Sequence, residues 1–259
     1  MTAIAPNEAE ETLVSDRVLH LSHSRIAKYL LCPEQYRLYY LANLRPRFTS
    51  ASLVFGQTLH QALAHLFKNQ GDPVVFFQEA WAALQNAPLT YNTRESWEKL
   101  QTVGEALLRK FLAEELPKLS AVQAVEQPFR LDITSLDLPL VGFIDLIADL
   151  LGRRTVVDFK TSASSYEPYE VALSDQLTAY HLADPEAEQL ALCVLVKTKE
   201  PRIEWHLTTR SAAQVTDYLD KADLVAHEIH AGHFFKRPGK WCAWCDYLPV
   251  CLGESMSRK

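Results

Sequence analysis

The chain has 259 residues, 48% of them hydrophobic, which is enough apolar sequence for one large domain. Its net charge of −6 excludes a protein coated with basic surface, although it leaves room for an enzyme with acidic catalytic residues. No run approaches the apolar length of a membrane span, and the N-terminus lacks a basic stretch followed by an apolar one. We therefore expect a cytoplasmic protein with no membrane partner, in which residues 1–18 form a flexible acidic lead-in.

Hydrophobic periodicity predicts a helical first half followed by a sheet. The predicted helices span 19–40, 53–67, 74–85, 93–116, 174–182 and 212–230. The predicted strands span 121–133, 140–147, 155–161, 189–197 and 202–207, with a turn at 152–154. We expect a single α/β domain over 19–259, with a mainly helical part at 19–120, a sheet core at 121–210, and a long helix and cysteine-rich segment at 211–259.

Two neighbouring strands carry a cluster of charges. Asp158 and Lys160 are two residues apart, so they point to the same face of their strand. If the strands pair as a hairpin, Asp145 converges on the same point. Charges in an apolar hairpin are costly unless they are paired or bind a metal, so this cluster predicts a site for Mg²⁺ or Mn²⁺, a water and a phosphate. Taken alone, the short Asp-x-Lys pattern indicates a surface salt bridge, and the metal site is favoured by the apolar run before it and by the Gly-x-x-Asp of the preceding strand.

Four of the five cysteines form a second candidate site. Cys242, Cys245 and Cys251 lie within ten residues, and Cys32 is the available distant partner. Such density in a cytoplasmic chain indicates metal ligation rather than disulfides. One distant and three local cysteines favour an iron–sulfur cluster, with zinc as the alternative. Cys193 lies within an apolar strand and is interpreted as a core residue.

Basic residues form local clusters that predict either phosphate contacts or ordinary solvated faces. The clusters are Arg37, Arg45 and Arg47; Lys197, Lys199 and Arg202; and Lys236, Arg237 and Lys240.

A set of short motifs gives the chain a family likeness. The motifs are Leu21-Ser-His-Ser-Arg-Ile, Leu31-Cys32-Pro33, Phe55-Gly56-Gln-Thr-Leu-His60, Gly142-Phe-Ile-Asp145, Asp158-Phe-Lys160-Thr161, Gln176-Leu-Thr-Ala-Tyr180, and the three C-terminal cysteines. In this order and combination, the chain resembles the RecB-like branch of the PD-(D/E)XK nuclease superfamily. Within that branch it is similar to the iron–sulfur nucleases, namely the CRISPR-adaptation exonucleases and the AddB-type nuclease domains.

The resemblance implies a fold and a role for each matching residue. The fold is a restriction-endonuclease-like mixed β-sheet flanked by helices, with an N-terminal helical cover and a C-terminal cluster segment. The implied metal ligands are His60, Asp145, Asp158 and the carbonyl of Phe159. The implied catalytic residues are Asp145, Asp158, Lys160, Gln176 and Tyr180. The implied ligands of a 4Fe-4S cluster are Cys32, Cys242, Cys245 and Cys251. Glu126 resembles an acidic strand position of the family and is assigned no catalytic role.

These roles predict a Mg²⁺- or Mn²⁺-dependent deoxyribonuclease, an exonuclease favouring single-stranded DNA, with a structural cluster. The implied partners are DNA and proteins of CRISPR adaptation or DNA repair. One alternative is a catalytically silent DNA-binding or scaffold module, although the chain keeps the histidine, both acids and the lysine. Another is an iron–sulfur redox enzyme, although no nucleotide-binding glycine loop is visible.

Overall fold

The structure is a computed structural model that describes residues 20–254. The predicted lead-in at 1–18 lies outside the described residues. The described chain falls into two compact units, each built from separate stretches. The first contains residues 20–46, 130–142 and 215–254, and the second contains Arg47–Phe129 and Phe143–Gln214. The single domain expected from the sequence stays a prediction.

The helices and strands follow the predicted order, with several shifts at their ends. The α-helices are α1 (His23–Leu31), α2 (Pro33–Tyr36), α3 (Ala51–Phe67), α4 (Pro73–Ala83), α5 (Trp97–Lys110), α6 (Pro168–Ala172), α7 (Asp175–Ala183), α8 (Ala212–His230) and α9 (Leu248–Cys251). The strands are β1 (Thr49–Ser50), β2 (Leu89–Thr90), β3 (Leu119–Leu131), β4 (Leu140–Leu150), β5 (Arg153–Ser162), β6 (Gln189–Val196) and β7 (Arg202–Thr208). Helical turns of other pitch span Arg37–Leu41, Phe111–Glu115, Leu116–Lys118 and Lys240–Trp244.

The helix predicted over 19–40 is interrupted at Cys32. Ser22 caps α1 by accepting a hydrogen bond from the backbone N–H of Arg25, and α1 ends at Leu31. Cys32 adopts an extended conformation (φ −161°, ψ 109°) because the ring of Pro33 disfavours helical geometry in the residue before it. The break was therefore foreseeable, and the continuous helix was a wrong prediction.

Hydrogen bonds within the first unit join its N-terminal helices to the C-terminal segment. The Tyr29 hydroxyl donates to the carbonyl of His233 over 2.7 Å, and the Tyr247 hydroxyl donates to the carbonyl of Leu44 over 2.9 Å. All four cysteines predicted to bind a cluster belong to this unit. The two ends of the described chain are thus held together by contacts between protein groups.

A five-stranded mixed sheet in the order β3-β4-β5-β6-β7 organises the fold. β4 and β5 are antiparallel, β5 and β6 are parallel, and β6 and β7 are antiparallel. The parallel step is bridged by α6 and α7, as a parallel connection requires a crossover. Every residue of β6 is buried, since this strand is covered on both faces. The predicted mixed α/β fold with helices flanking the sheet is confirmed.

The second unit has an apolar core on each face of its sheet. On one face, α3, α4 and α5 pack against the sheet through a cluster that includes Phe55, Trp81, Phe111 and Phe159. On the other face, α7 contributes Leu177 and Tyr180 to a smaller cluster. Cys193 is fully buried in the first cluster, which confirms its interpretation as a core residue. The sheet is therefore the middle of three layers.

Several local features differ from the sequence prediction. The hairpin loop between β4 and β5 is Leu151 and Gly152, not 152–154, because both residues have positive φ, as the tightest two-residue turns require. The helix predicted over 93–116 begins at Trp97, because Ser96 caps it, and changes pitch after Lys110. The short β1–β2 pair and α6 carry too little periodicity to be predicted. Among residues 20–254, none of the helices is long and apolar enough to cross a membrane.

Candidate active site

The two predicted catalytic acids lie where β4 and β5 separate. The paired register of these strands runs from Leu150↔Arg153 to Leu146↔Val157 and stops immediately before Asp145 and Asp158. Beyond that point, Asp145 Oδ2 accepts a hydrogen bond from the backbone N–H of Phe159 over 2.9 Å. The opening of the hairpin thus directs both carboxylates toward one place instead of into the ladder.

Asp158 is the most buried member of this cluster, with its side chain 1% exposed. Its Oδ1 accepts hydrogen bonds from Gln176 Nε2 over 2.8 Å and from the Tyr180 hydroxyl over 3.2 Å. Its Oδ2 forms an ion pair with Lys160 Nζ over 2.8 Å. These three partners balance the cost of burying the carboxylate.

Gln176 connects the acid and the lysine. Its Oε1 accepts a hydrogen bond from Lys160 Nζ over 2.8 Å, while its Nε2 donates to Asp158 and to the Tyr180 hydroxyl. Gln176 and Tyr180 lie four residues apart on α7, so both face the sheet. The Tyr180 hydroxyl has one proton and two acceptors, Asp158 and the carbonyl of Phe143, and the shorter 2.8 Å contact to Phe143 is the better hydrogen bond.

Lys160 remains protonated despite its partial burial. Desolvation lowers the pKa of this lysine, but its attraction to the neighbouring Asp158 carboxylate, together with the charge of Asp145, outweighs that effect and raises the pKa above its usual value. At neutral pH the side chain is therefore an ammonium group held at a fixed position. It can donate hydrogen bonds to a water or a phosphoryl oxygen, but it cannot accept a proton.

The pKa values of Asp145 and His60 are shifted in opposite directions. Burial, and then the charge of Asp158, raises the pKa of Asp145 to about 7. Burial lowers the pKa of His60, with Lys160 adding to the effect and Asp158 opposing it. His60 Nδ1 lies 3.4 Å from Asp145 Oδ2. The imidazole is consequently neutral near pH 7, the form in which histidine ligates metals.

A glycine allows α3, which carries His60, to approach the catalytic strand. A Cβ atom at Gly56 would lie 2.8 Å from Thr161 Oγ1, too close for a carbon–oxygen contact. Thr161 is the neighbour of Lys160 on β5, so this contact sets the depth of α3 against the site. His65, five residues beyond His60 on α3, stacks on Phe76 at 4.7 Å between ring centroids and so has a structural contact instead of facing the site.

Three further residues lie near the cluster. Glu126 forms an ion pair with Lys68, and its charge acts on both His60 and Asp145. Glu126 has a positive φ of 50° within β3, a local irregularity of the strand. Tyr166 lies within electrostatic range of Lys160 and Asp158. Neither Lys68 nor Tyr166 belongs to a sequence pattern, so only the fold could reveal their position.

The oxygen and nitrogen atoms of the candidate site are of the kinds that bind metals, although in the described residues they do not surround a common point. Asp158 Oδ2 is buried and has no hydrogen bond of good geometry in the described part of the chain, only its ion pair with Lys160. An oxygen in this state is suited to a hard cation. Across residues 20–254, however, no three side chains of His, Cys, Asp and Glu are gathered closely enough to hold a metal ion.

The predicted cluster cysteines are free thiols, each partly exposed. Burial raises the pKa of Cys251, and the charges of Cys245 and Cys32 add to this effect, so these three lie within electrostatic range of one another. The Gln35 amide donates to Cys245 Sγ over 3.6 Å. Four thiols on one unit are a suitable set of soft ligands, but they are not drawn together into a closed site.

The basic cluster of Lys197, Lys199 and Arg202 predicted from the sequence does not form one surface, because its members differ in exposure. The Lys197 side chain is only 9% exposed and forms an ion pair with Glu95, whereas Lys199 and Arg202 are exposed. Arg202 pairs with Glu204. Phosphate contact therefore cannot be assigned to the cluster as a whole.

Comparisons with known proteins agree with this geometry. The family model of the PD-(D/E)XK nuclease superfamily matches residues 20–252. A crystal structure of a protein from Eubacterium rectale, whose proposed activity is that of an exonuclease, has a TM-score of 0.56 at 9% identity. It aligns over 95% of this chain and 94% of that one, a likeness of fold alone. The structure of SSO0001 covers 96% of this chain and 98% of its own at 13% identity, with a TM-score of 0.39 that supports no argument. No curated protein matches the chain significantly.

Proposed function

The chain belongs to the PD-(D/E)XK nuclease superfamily, and from this premise we propose that it is an active, metal-dependent deoxyribonuclease. The observation that carries the proposal is the contact of Lys160 Nζ with both Asp158 Oδ2 and Gln176 Oε1, each over 2.8 Å. In a chain that had lost its chemistry, a half-buried ammonium group fixed between an acid and an amide would serve only to hold α7 on the sheet. Burying such a group is costly, and a nonpolar replacement is often at least as stable.

We propose that His60, Asp145, Asp158 and the carbonyl of Phe159 hold Mg²⁺ or Mn²⁺. The neutral state of His60 supports this assignment, as does Asp158 Oδ2, a buried oxygen whose partner in the described part of the chain is the Lys160 ammonium group alone. When bound, such an ion supplies positive charge beside the phosphoryl group and makes a neighbouring water easier to deprotonate. Because the pKa of Asp145 is about 7, binding of the ion has to displace a proton from this acid over part of the neutral range.

The side chains of the protein perform the remaining tasks. Lys160 donates hydrogen bonds to the attacking water and to the phosphoryl oxygens, where negative charge accumulates during the reaction. Gln176 holds Lys160 in position through its Oε1 and holds Asp158 through its Nε2. Tyr180 bridges Gln176 and the backbone of Phe143, which fixes α7 against β4. Asp145 and Asp158 remain available as carboxylate ligands.

The finer assignments are proposals that rest on the sequence motifs. We propose that the protein belongs to the RecB-like branch and carries a structural 4Fe-4S cluster on Cys32, Cys242, Cys245 and Cys251, with zinc as the alternative. The electrostatic proximity of three of these thiols supports that set. We further propose a cytoplasmic exonuclease that favours single-stranded DNA and works in CRISPR adaptation or DNA repair as a single domain.

One observation favours a second candidate, a catalytically silent DNA-binding or scaffold module. In the described residues, no three potential ligands are close enough together to hold a metal ion. In such a module, the Asp158–Lys160 pair would serve only to hold α7 on the sheet.

Cleavage of end-labelled DNA separates the two candidates. Anaerobically purified protein is incubated with single- and double-stranded DNA in Mn²⁺ or Mg²⁺, beside the variant Lys160→Ala. Cleavage by the wild type alone supports the nuclease and gives its strand preference and polarity. Intact DNA with a protein that still binds it favours the silent module. Equal cleavage by both proteins contradicts the role of Lys160.

A further inference from the structure

The second unit contains a cavity of about 1050 Å³ that the catalytic cluster does not use. It lies where β5 and β6 end, because its lining includes Ala163 and the residues 197–199 that follow these strands. The backbone N–H of Lys197 donates to the carbonyl of Ser162 over 2.8 Å, so the two strand ends stay paired at the edge of the cavity. The opposite wall is formed by residues 92–95 and the first turns of α5.

Two of the lining residues, Lys197 and Glu95, form an ion pair with little exposure to solvent, and we call them the inner wall. The side chain of Lys197 is 9% exposed and that of Glu95 14%, and the two form an ion pair. Lys197 Nζ also donates to Ser52 Oγ over 2.8 Å, and Ser52 donates to Glu95 over 2.7 Å. Asn92 adds hydrogen bonds from its backbone N–H and its amide to Glu95 Oε2. These contacts fix the loop before α5 and leave the inner wall without net charge.

The exposed charged residues of the lining, here called the rim, are three cations and one acid. Arg94, Lys99 and Lys199 are exposed, and none of them forms an ion pair with a carboxylate among residues 20–254. Glu98 is the one exposed acid among the lining residues. A positive rim on a protein with a net charge of −6 is a local feature and not a consequence of composition. It matches the backbone of a nucleic acid, which presents a regular row of phosphates.

The cavity is close to the catalytic lysine. Ala163 follows Lys160 by three residues, about 10 Å of backbone at roughly 3.3 Å per extended residue. The Lys160 side chain contacts α7, whereas the cavity lies on the face of the sheet that α5 covers. A single strand advances at least about 3.4 Å per phosphate. A strand with its scissile phosphate at Lys160 therefore has to pass the end of β5 and extend a few nucleotides to reach the cavity.

We infer that this cavity binds the sugar–phosphate backbone of the single-stranded DNA substrate, a few nucleotides from the scissile phosphate. Arg94 and Lys199 are the positioning residues that contact its phosphates. The inference rests on the proposed function and deepens it, because it states how far the substrate must extend beyond the cleaved bond.

Binding measured without metal tests the inference separately from catalysis. The affinity of a 20-nucleotide single strand is measured by fluorescence anisotropy in EDTA across a salt series. The proteins are the wild type, Arg94→Ala/Lys199→Ala, and a control, Arg109→Ala/Lys110→Ala. The control removes the same charge from the far end of α5, outside the cavity. In parallel, hydrolysis of the 20-mer by the wild type is measured in Mn²⁺.

We expect the cavity variant to raise the Kd of the 20-mer at least tenfold. The slope of log K against log salt should fall by about 1.4, since each phosphate contact on a single strand contributes roughly 0.7. The control should shift the Kd less than twofold. Wild-type values of Kd and salt slope in the cavity variant, with DNA cleavage by the wild type intact, would overturn the cavity inference alone. A wild type that neither binds nor cleaves DNA would overturn the proposed function and the inference with it.

Discussion

Gln176 Oε1 accepts a hydrogen bond from Lys160 Nζ over 2.8 Å. The two residues lie on different elements, α7 and β5, and the amide also donates to Asp158. Because of this contact, the position of the Lys160 ammonium group depends on how α7 packs against the sheet. It links the packing of the fold to the geometry of the candidate active site.

Removing the ammonium group should abolish most cleavage. In Lys160→Ala, we expect DNA hydrolysis to fall by about 10²- to 10³-fold, the usual cost of losing one preorganised charge-stabilising donor. Circular dichroism should show a retained fold. Lys110→Ala, which removes an exposed lysine paired with Glu114, should cleave as the wild type does. Retained activity in Lys160→Ala would contradict the proposed mechanism.

The orientation of the Gln176 amide can be tested with an isosteric change. Gln176→Glu replaces the Nε2 donor to Asp158 with an oxygen, so it places two carboxylates against each other. We expect a larger loss of kcat than in Gln176→Ala, for which about tenfold is expected. Steady-state kinetics of both variants provide the measurement. If Gln176→Glu were the more active of the two, the amide would not have the assigned contacts.

The pKa of Asp145 predicts a stability that depends on pH in the metal-free protein. Its value of about 7 lies above the ordinary 3.8, so between these values the folded state holds more protons than the unfolded state. Stability should therefore fall as pH rises from about 4 to 7, by at most about 1.4 kcal/mol per pH unit. Melting temperatures in EDTA from pH 4 to 8 test this. In Asp145→Asn this part of the slope should disappear, and a slope identical to the wild type would refute the assignment.

The contact of Gly56 with Thr161 predicts a coupled pair of substitutions. Gly56→Ala gains about 1 kcal/mol of helix propensity, but its Cβ would lie 2.8 Å from Thr161 Oγ1, and overpacking costs typically 1–3 kcal/mol. We expect net destabilisation in urea unfolding. Gly56→Ala should be neutral or stabilising when it is added to Thr161→Ala, where that oxygen is absent. Additive free energies across the double-mutant cycle would show that the contact does not limit the approach of α3.

The cysteine set predicts a metal-dependent stability. Anaerobic protein should contain iron and acid-labile sulfide, and chelation or oxidation should lower its melting temperature because the ligands join the two ends of the chain. Cys251→Ser should lose iron, whereas Cys193→Ala should retain it, since Cys193 is buried in the other unit. Bound zinc without sulfide would favour the alternative metal. A melting temperature unaffected by loss of metal would rule out a structural role.

Part of the site follows from local periodicity alone. The side-chain period of a strand places Asp158 and Lys160 on one face, and the period of a helix does the same for Gln176 and Tyr180. The helix predicted over 212–230 has the observed ends. Short-range patterns of this kind are reliable because they depend only on backbone geometry and on which face is apolar.

Other features depend on residues that are far apart in the sequence. Lys197, which the sequence grouped with exposed cations, is buried against Glu95, 102 residues earlier. Tyr166 reaches the catalytic cluster from a loop, and the pKa of Asp145 depends on its burial and on Asp158. Local periodicity predicted which candidate site residues share a face, and the family motifs indicated which residues these are. Only the tertiary structure decided their burial, charge states and partners, because those depend on which distant groups exclude water from each side chain.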